Sequence, residues 1–186
     1  MIVRNPLERL LSAFINKLSS PLKNNIEVID TFELHKRSIM EKYHPVKLKR
    51  WIDGGQMEKI QLDFETYLQW IIDTPNHKLN EHFAPITELA QPCRIRYHFY
   101  GNFKMYASDM EAIIAKLGAP KDWYINKSNH KQGKETSDKM IPFYSTVRRE
   151  VKEKLIQDFF DDLEFYYTLY PEEKDSMDAI LFHRSE

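Results

Sequence analysis

The stretch MIVRNPLERLLSAFINKL, residues 1–18, predicts a short strand, a tight turn and a helix in immediate succession. Ile2 and Val3 are β-branched and are typical of the end of a buried strand. Asn5 is a favourable N-cap residue, and Pro6 suits the first helical position. Glu8 stands three residues after Asn5 and completes a capping-box pattern. The apolar residues that recur at helical spacing are Leu7, Leu11, Phe14 and Leu18. We therefore expect a helix over 6–18.

A helix that starts directly after a strand suits an anion, because its first N–H groups point into the space beyond the strand end. Arg4 adds a guanidinium fork that matches phosphate geometry. Asn5, Arg9 and Ser12 follow one another at i, i+4 and i+7, so they lie on one stripe of the helix. Two interpretations remain open for these four residues. They form a phosphate site, or they belong to an ordinary capped helix with solvated polar residues.

The region between residues 31 and 76 contains further helix signals. We expect a helix over 31–43, since the residue before Pro45 disfavours helical geometry. The segment HPVKLKRWIDGG, residues 44–55, is expected to be a basic connector. Asp63 is a predicted N-cap for a short helix that ends by Thr74. The residues of that helix that match the helical template are Phe64, Tyr67, Leu68 and Ile71.

The second half of the chain predicts one strand and two more helices. The segment RIRYHFY, residues 94–100, alternates apolar and polar residues and is expected to be a strand. Ser108 and Glu111 form a capping box, and Gly118 suits a helix C-terminus. A long helix is expected from near residue 145 to before Pro171. Its predicted inward residues are Val151, Leu155, Phe159 and Tyr166. This order favours an α/β fold in a single domain over 1–186.

The composition, net charge and cysteine count of the chain exclude several classes of protein. The chain has 186 residues, of which 42% are hydrophobic and 13% aromatic, so it is globular rather than disordered. The formal net charge of −1 argues against a general nucleic-acid binder. Cys93 is the only cysteine, so no disulfide can form within the chain. The sequence contains neither an apolar run long enough to span a membrane nor a signal peptide.

The segment VRNPLERLLSAF, residues 3–14, resembles the 3′-phosphate-binding motif of sulfotransferases that use 3′-phosphoadenosine 5′-phosphosulfate (PAPS). In that motif an arginine at a strand end and a serine eight positions later hold the 3′-phosphate, and Arg4 and Ser12 occupy those positions here. The neighbouring residues look most like the Golgi carbohydrate sulfotransferases that act on chondroitin, dermatan and related glycans. The residues that carry this likeness are Pro6, Arg9, Leu10, Ser12 and Ala13.

Two further blocks resemble the same family and follow in its order over nearly the whole chain. The segment NEHFAPITELAQPCRIRYHFYGNF, residues 80–103, is similar to a family segment with an acidic-His-aromatic start and a Pro-Cys pair. The segment LIQDFFDDLEFYYTLYP, residues 155–171, is similar to the family's closing helix. Family members usually place a second cysteine three positions before the Pro-Cys cysteine, where this chain has Ala90. The local cysteine pairing of the family is therefore absent or rearranged.

The resemblance implies a partial P-loop-like sulfotransferase domain of α/β class, helix-rich with few strands. It implies sulfuryl transfer from PAPS to a hydroxyl of a glycan acceptor, either a glycosaminoglycan or an N-glycan. It implies no metal, no nucleic-acid partner and a place on the lumenal side of the Golgi membrane, with a membrane anchor only if an upstream segment exists. The nucleotide contacts implied are Arg4, Asn5, Arg9 and Ser12.

The same resemblance places a Lys-containing strand-loop-helix, which cradles the 5′-phosphosulfate, before the arginine motif. We therefore expect the N-terminal part of the domain to be missing from this chain, and with it the residues that would drive catalysis. No catalytic residue is assigned. The alternative is a non-catalytic derivative of the fold that binds a nucleotide or a glycan.

Other candidate residues allow two interpretations each. By the resemblance, His82 has a catalytic or substrate-contacting role, and the alternative is a structural histidine that hydrogen-bonds a neighbouring loop. The set His77, His82, Cys93 and His98 follows no common zinc-ligand spacing, so we expect no metal site. The resemblance extends to a late loop that closes over the nucleotide, with the candidate donors Lys131, Lys134, Thr136 and Ser137; the alternative is a solvated loop.

Two surface motifs complete the candidates. Asn126, Lys127 and Ser128 form a glycosylation sequon, which has meaning in the secretory pathway. A basic patch with one aromatic residue suits a sulfated or uronate-rich polymer, or it is simply a solvated surface. The residues of this patch are Lys47, Lys49, Arg50 and Trp51.

Overall fold

The computed structural model describes residues 1–22, 31–56, 60–120, 136–175 and 181. Its first elements are β1 (Ile2–Val3), α1 (Pro6–Ala13), a π-helical turn (Phe14–Leu18), α2 (Thr31–Tyr43), α3 (Pro45–Asp53) and α4 (Phe64–Ile72). The next are a 3-10 turn (Asn76–Lys78), α5 (Ile86–Ala90), β2 (Gly101–Asn102), a 3-10 turn (Phe103–Met105) and α6 (Tyr106–Lys116). The last are α7 (Met140–Ser145), α8 (Arg149–Asp158), α9 (Phe160–Leu169) and a 3-10 turn (Pro171–Glu173).

The two short strands are parallel neighbours, with Ile2 opposite Gly101 and Val3 opposite Asn102. Gly101 fits this contact closely, because a Cβ there would lie 2.7 Å from Cδ1 of Ile2 and 3.0 Å from Oδ2 of Asp109, and these side chains would have to shift to accept it. This arrangement agrees with the expected α/β class, helix-rich with few strands. The prediction of a strand over 94–100 is wrong, and Ile95, one of the apolar residues of its alternating pattern, is 49% exposed. A strand forms when a neighbouring strand satisfies its backbone hydrogen bonds. Because β1 is only two residues long and pairs with Gly101 and Asn102, it does not extend the sheet to residues 94–100.

The helices near the N-terminus follow the sequence signals closely, with one exception. The helix expected over 6–18 is confirmed, although its last five residues form a π-helical turn. The bounds expected for α2 are also confirmed. The prediction of a basic connector over 44–55 is wrong, because Pro45–Asp53 form the helix α3. Pro45 occupies the first helical position, and Leu48 and Trp51 pack against the core, which stabilises this helix.

The remaining helix signals are confirmed only in part. Asp63 caps α4 as expected, its Oδ1 accepting a hydrogen bond of 2.8 Å from Thr66 N. Gly118 follows the end of α6 with a φ of 66°. The prediction of a capping box at Ser108 is wrong. Ser108 lies inside α6, and its hydroxyl donates to the carbonyl of Met105.

The long C-terminal helix is divided in two. It begins at Arg149 rather than near residue 145, and it is interrupted at Phe159 between α8 and α9. All four residues predicted to face inward are buried: Val151, Leu155, Phe159 and Tyr166.

Helix α1 lies at the centre of the hydrophobic core. Three of its leucines are fully buried: Leu7, Leu10 and Leu11. The hydroxyl of Tyr144 on α7 donates to the carbonyl of Leu7 at 3.0 Å, and the hydroxyl of Tyr67 on α4 donates to the carbonyl of Leu10 at 3.3 Å. These contacts hold one face of α1 in the core and leave the stripe with Arg9 and Ser12 facing a cavity.

None of the helices in the described ranges combines the length and the hydropathy that a membrane span requires.

Candidate anion-binding site

The start of α1 is capped by the Asn5 side chain, as its sequence predicts. Oδ1 of Asn5 accepts hydrogen bonds from the backbone N–H groups of Leu7 at 3.0 Å and Glu8 at 3.2 Å. The N–H of Arg9 donates to the Asn5 carbonyl, and Pro6 has no N–H to offer. The first-turn amides expected to face an anion are therefore already bonded. A negatively charged ligand at this site must be held by side chains.

The capping box is only half formed. Glu8 does not complete it; its carboxylate instead accepts from the Arg4 guanidinium, at 2.9 Å from Nη2 and 3.3 Å from Nε. The Arg4 guanidinium also lies 4.8 Å from the centre of the Phe103 ring. Arg4 is thus held on two sides in a fixed position. Its five N–H donors exceed what Glu8 can accept, so donors remain for a second anion.

Arg9 is anchored deep in the fold by residues far away in the sequence. Its Nη2 donates to the carbonyl of Ala84 and lies 3.6 Å from Oδ2 of Asp162. Asp162 is fully buried and also accepts from the backbone N–H groups of Ile86 and Thr87, at 2.7 and 2.8 Å. Burial lowers the pKa of Arg9, and the nearby Asp162 carboxylate opposes this effect. The contacts to Ala84 and Asp162 hold the Arg9 guanidinium in a defined direction.

Arg4, Arg9 and Ser12 line one cavity of about 200 Å³. The side chains that matter for its charge and hydrogen bonding are Arg4, Arg9, Ser12, Lys17, Glu81 and His82. Three of these are basic and one is acidic, so the cavity favours an anion. Asn5 does not line this cavity; it is buried at the helix start, where its cap positions α1. The cavity thus brings together three of the four residues expected to bind phosphate.

The π-helical turn at Phe14–Leu18 adds two residues that the sequence reasoning missed. Asn16 donates to the Ser12 hydroxyl at 3.2 Å and to the Ser12 carbonyl at 2.9 Å, which orients the hydroxyl. Lys17 lines the cavity, with its Nζ 4.7 Å from the centre of the Phe32 ring. Turns of this kind are frequent at functional sites. The spacing of apolar residues in the sequence fits a continuous α-helix equally well and gives no signal for the turn.

His82 lies at the edge of the same cavity with an exposed side chain. Its ring centre is 5.3 Å from that of Phe32, and its Nε2 is 4.0 Å from the Glu81 carboxylate. In the described ranges, no group of three or more histidine, cysteine or acidic side chains is arranged to hold a metal ion. Cys93 is exposed.

The late loop and the sequon fall mostly outside the described residues. Lys131, Lys134 and Asn126 lie there. Thr136 is buried and Ser137 is half-buried at the start of the segment 136–175.

Comparison with known proteins identifies the family. A model of the sulfotransferase family matches residues 1–168, and the chain therefore belongs to this family. The chain is 27% identical over 175 residues to carbohydrate sulfotransferase 9 of Homo sapiens, covering 90% of this chain and 37% of that protein. It is 26% identical over 170 residues to carbohydrate sulfotransferase 14 of Danio rerio, covering 89% of this chain and 42% of that protein.

A third relative, carbohydrate sulfotransferase 11 of Rattus norvegicus, is 24% identical over 178 residues, covering 91% of this chain and 46% of that protein. The chain thus spans less than half the length of these three curated relatives. No solved structure matches the chain significantly.

Proposed function

We propose that this chain forms the nucleotide 3′-phosphate site of a carbohydrate sulfotransferase, which transfers a sulfuryl group from PAPS to a glycan hydroxyl. The observation that carries the proposal is the convergence of Arg4, Arg9 and Ser12 on one cavity beside Lys17. The names of the three relatives support a carbohydrate acceptor. Resemblance in the arginine motif favours chondroitin, dermatan or a related glycan as that acceptor.

The donors of the cavity fit a phosphate group. Two guanidinium groups and one ammonium group supply charge-assisted hydrogen bonds, and the Ser12 hydroxyl supplies a neutral one. Arg4 pairs with Glu8 and Arg9 lies 3.6 Å from Asp162, so each of the two guanidinium groups shares its charge with a carboxylate, and Lys17 adds a further positive charge at the cavity. Asn5 contributes indirectly, by capping the helix that presents these side chains.

The described residues of the cavity bind the nucleotide rather than accelerate the transfer. PAPS supplies the sulfuryl group when it is bound. Charge develops on the oxygen that links the 5′-phosphate to the departing sulfuryl group, at the far end of the nucleotide from the 3′-phosphate. Contacts of Arg4 and Ser12 to the 3′-phosphate are equally strong in the ground state and the transition state, so they lower KM without raising kcat. We assign no catalytic base, and we place His82 with the binding residues.

We propose the lumenal side of the Golgi membrane as the site of action, as in carbohydrate sulfotransferases that resemble this chain. The acceptor would be a glycosaminoglycan or an N-glycan, and the sequon at Asn126 would be a glycosylation site in that compartment. The net charge of −1 gives no support to a nucleic-acid partner. The chemistry proposed requires no metal.

Calorimetric titration with 3′-phosphoadenosine 5′-phosphate tests the nucleotide site. We expect Arg4→Ala and Ser12→Ala each to weaken binding about ten- to a hundredfold, since each removes a hydrogen-bond partner worth roughly 1.5–3 kcal/mol to a charged group. Adenosine 5′-phosphosulfate, which has no 3′-phosphate, should bind the parent and both variants equally. Arg149→Ala is the matched control, because Arg149 also pairs with a glutamate four residues later but is exposed elsewhere. Equal affinity of Arg4→Ala and the parent chain for the bisphosphate would contradict the site.

A labelled-sulfate transfer assay on desulfated chondroitin and dermatan separates the enzyme from a non-catalytic binding derivative. The assay compares the chain as printed with a version extended upstream by the corresponding segment of a relative. One lost donor at the bridging oxygen can cost on the order of a hundred- to a thousandfold in rate. We expect the printed chain to bind nucleotide without measurable transfer and the extended chain to transfer sulfate. Binding without transfer by both would favour the derivative, and robust transfer by the printed chain would refute the role given to Arg4 and Ser12.

A further inference from the structure

The hydroxyl of Ser12 lacks the bond that three comparable hydroxyl groups of this protein make. The hydroxyls of Ser19, Thr74 and Thr168 each donate to the carbonyl four residues earlier, at 2.7 Å. This bond is common for serine and threonine within or next to a helix. The Ser12 hydroxyl accepts from Asn16, and it donates to no acceptor among the residues that the structure describes. Its O–H group is therefore available to a ligand.

The position of Ser12 shows where that ligand would lie. Ser12 is only 9% exposed, and it lines the cavity that Arg4 and Arg9 share. A buried donor without an acceptor is unfavourable, because it has left water without gaining a partner. An anion whose oxygen atom enters the cavity supplies the missing acceptor. The acidic residue of the lining, Glu81, has a side chain that is 69% exposed, so water screens its charge.

The side-chain amide of Asn16 determines which way the Ser12 hydroxyl points. Nδ2 of Asn16 lies 2.9 Å from the Ser12 carbonyl oxygen, which can only accept, so the group at that position must be the NH₂ donor. The same nitrogen lies 3.2 Å from Oγ of Ser12. Its two hydrogens thus serve two acceptors on one residue. Because Oγ accepts from Asn16, the proton of the Ser12 hydroxyl is directed away from Asn16.

We propose that Asn16 is a positioning residue of the nucleotide site, which turns the O–H group of Ser12 toward the 3′-phosphate. The inference rests on the proposed function and adds the residue that makes Ser12 a donor. Arg4, Arg9, Ser12 and Lys17 then present only donors to the cavity. A phosphate group offers three strong acceptor oxygens, so this set of donors matches it.

The π-helical turn Phe14–Leu18 carries both Asn16 and Lys17. In a continuous α-helix, Lys17 would lie about 140° around the helix axis from Ser12, because five residues turn the chain by about 500°. The wider turn, in which the N–H of Ser19 donates to the Phe14 carbonyl at 2.9 Å, moves residues five apart toward the same face. The turn therefore brings Lys17 to the cavity directly, while Asn16 acts through Ser12.

A purely structural role explains less of the geometry around Asn16. The Asn16 side chain is exposed, and α1 is already held in the core by its buried leucines. The bond to the Ser12 carbonyl adds to the end of this helix, but the bond to Oγ has a consequence for a ligand. Without it, the hydroxyl is free to rotate toward the carbonyl of Glu8, four residues earlier, and the cavity loses a donor.

Nucleotide affinities of single and double variants test the inference by calorimetric titration with 3′-phosphoadenosine 5′-phosphate. Asn16→Leu preserves the approximate shape of the side chain and removes both N–H donors. We expect it to bind about tenfold more weakly than the parent, because the Ser12 hydroxyl is no longer held toward the phosphate. In a Ser12→Ala background the same change should have no effect, since no hydroxyl remains to be positioned. Asn16→Gln retains an amide donor and should bind more tightly than Asn16→Leu.

Two controls define the specificity of the effect. Gln69→Leu removes an amide that also bonds a residue four positions away, at Asp73, and this variant should bind like the parent. Adenosine 5′-phosphate has no 3′-phosphate, so the parent and Asn16→Leu should bind it equally. Weaker binding of this probe by Asn16→Leu would overturn the inference, because the loss would not pass through the 3′-phosphate.

The double variant separates positioning from a structural or direct effect. Equal weakening by Asn16→Leu in the parent and in the Ser12→Ala background would overturn the inference, because the loss would then be independent of the Ser12 hydroxyl. Parent-like affinity of Asn16→Leu, together with weakened binding by Ser12→Ala, would overturn the positioning role alone and leave the nucleotide site standing. Parent-like affinity of both Arg4→Ala and Ser12→Ala would instead refute the proposed function, and this inference with it.

Discussion

Asp162 offers the sharpest test of how the nucleotide cavity is held, because one buried carboxylate joins three parts of the chain. It accepts hydrogen bonds from the backbone N–H groups of Ile86 and Thr87 and from the Thr87 hydroxyl, at 2.7, 2.8 and 2.6 Å. It also lies 3.6 Å from the Arg9 guanidinium. The change Asp162→Asn preserves the shape of the side chain but replaces one acceptor oxygen with an N–H donor. The charge of Arg9 then loses its partner, and one backbone N–H faces another donor.

The expected loss of stability is about 3–5 kcal/mol, which is typical when one member of a buried ion pair is removed. For a protein of this length, 1 kcal/mol corresponds to roughly 2–4 °C in Tm. The variant should therefore melt roughly 6–20 °C below the parent in circular dichroism. Its nucleotide affinity should also fall, since the Arg9 side chain is no longer held at the cavity.

A double-mutant cycle separates the interaction between Arg9 and Asp162 from the hydrogen bonds that Asp162 accepts from the backbone. In an Arg9→Met background, Asp162→Asn should cost less by about 0.5–3 kcal/mol, because no buried cation is left unpaired. The remaining cost reports the contacts to Ile86 and Thr87. A melting temperature unchanged by Asp162→Asn, or a coupling energy of zero between the two sites, would refute this account of how Arg9 is positioned.

Two further predictions concern the start of α1 and the end of α2. Asn5→Ala should cost about 1 kcal/mol in urea unfolding and weaken nucleotide binding, because it removes the cap that positions α1; an unchanged transition would show that the cap is dispensable. At Asp73, partial burial acts to raise the pKa of the carboxyl group, but hydrogen bonds from Tyr43 and Gln69 outweigh it and hold the pKa below 3.8. Tyr43→Phe should therefore destabilise the fold by about 0.5–1.5 kcal/mol at pH 7, and this difference should shrink as the pH falls below 3.8 and through the lowered pKa of Asp73, because the carboxyl group then gains a proton in the folded chain. A difference that stays constant as the pH is lowered step by step from 7 until the parent unfolds would contradict the assignment.

Local chemistry in the sequence was enough to predict many of the helix positions. Asn5 and Asp63 mark helix starts because their side chains satisfy backbone N–H groups within three residues. The bound of α2 before Pro45 and the stop of α6 near Gly118 follow from backbone geometry at single residues. Such signals involve atoms close in sequence, so no knowledge of the fold is needed to interpret them. The arginine motif could be interpreted for the same reason, since one strand and the helix that follows it carry Arg4, Arg9 and Ser12 toward the same side.

Only the tertiary structure decided the rest, because it depends on partners distant in the chain. The alternation over 94–100 is that of a strand, but β1 offers only two residues to pair with. Residues 45–53 have the composition of a connector, but they form α3 because Leu48 and Trp51 pack against the core. Glu8 pairs with Arg4 rather than closing the capping box, and Arg9 is held by Asp162, 153 residues later. A carboxylate selects its partner by distance and burial, and the sequence alone specifies neither.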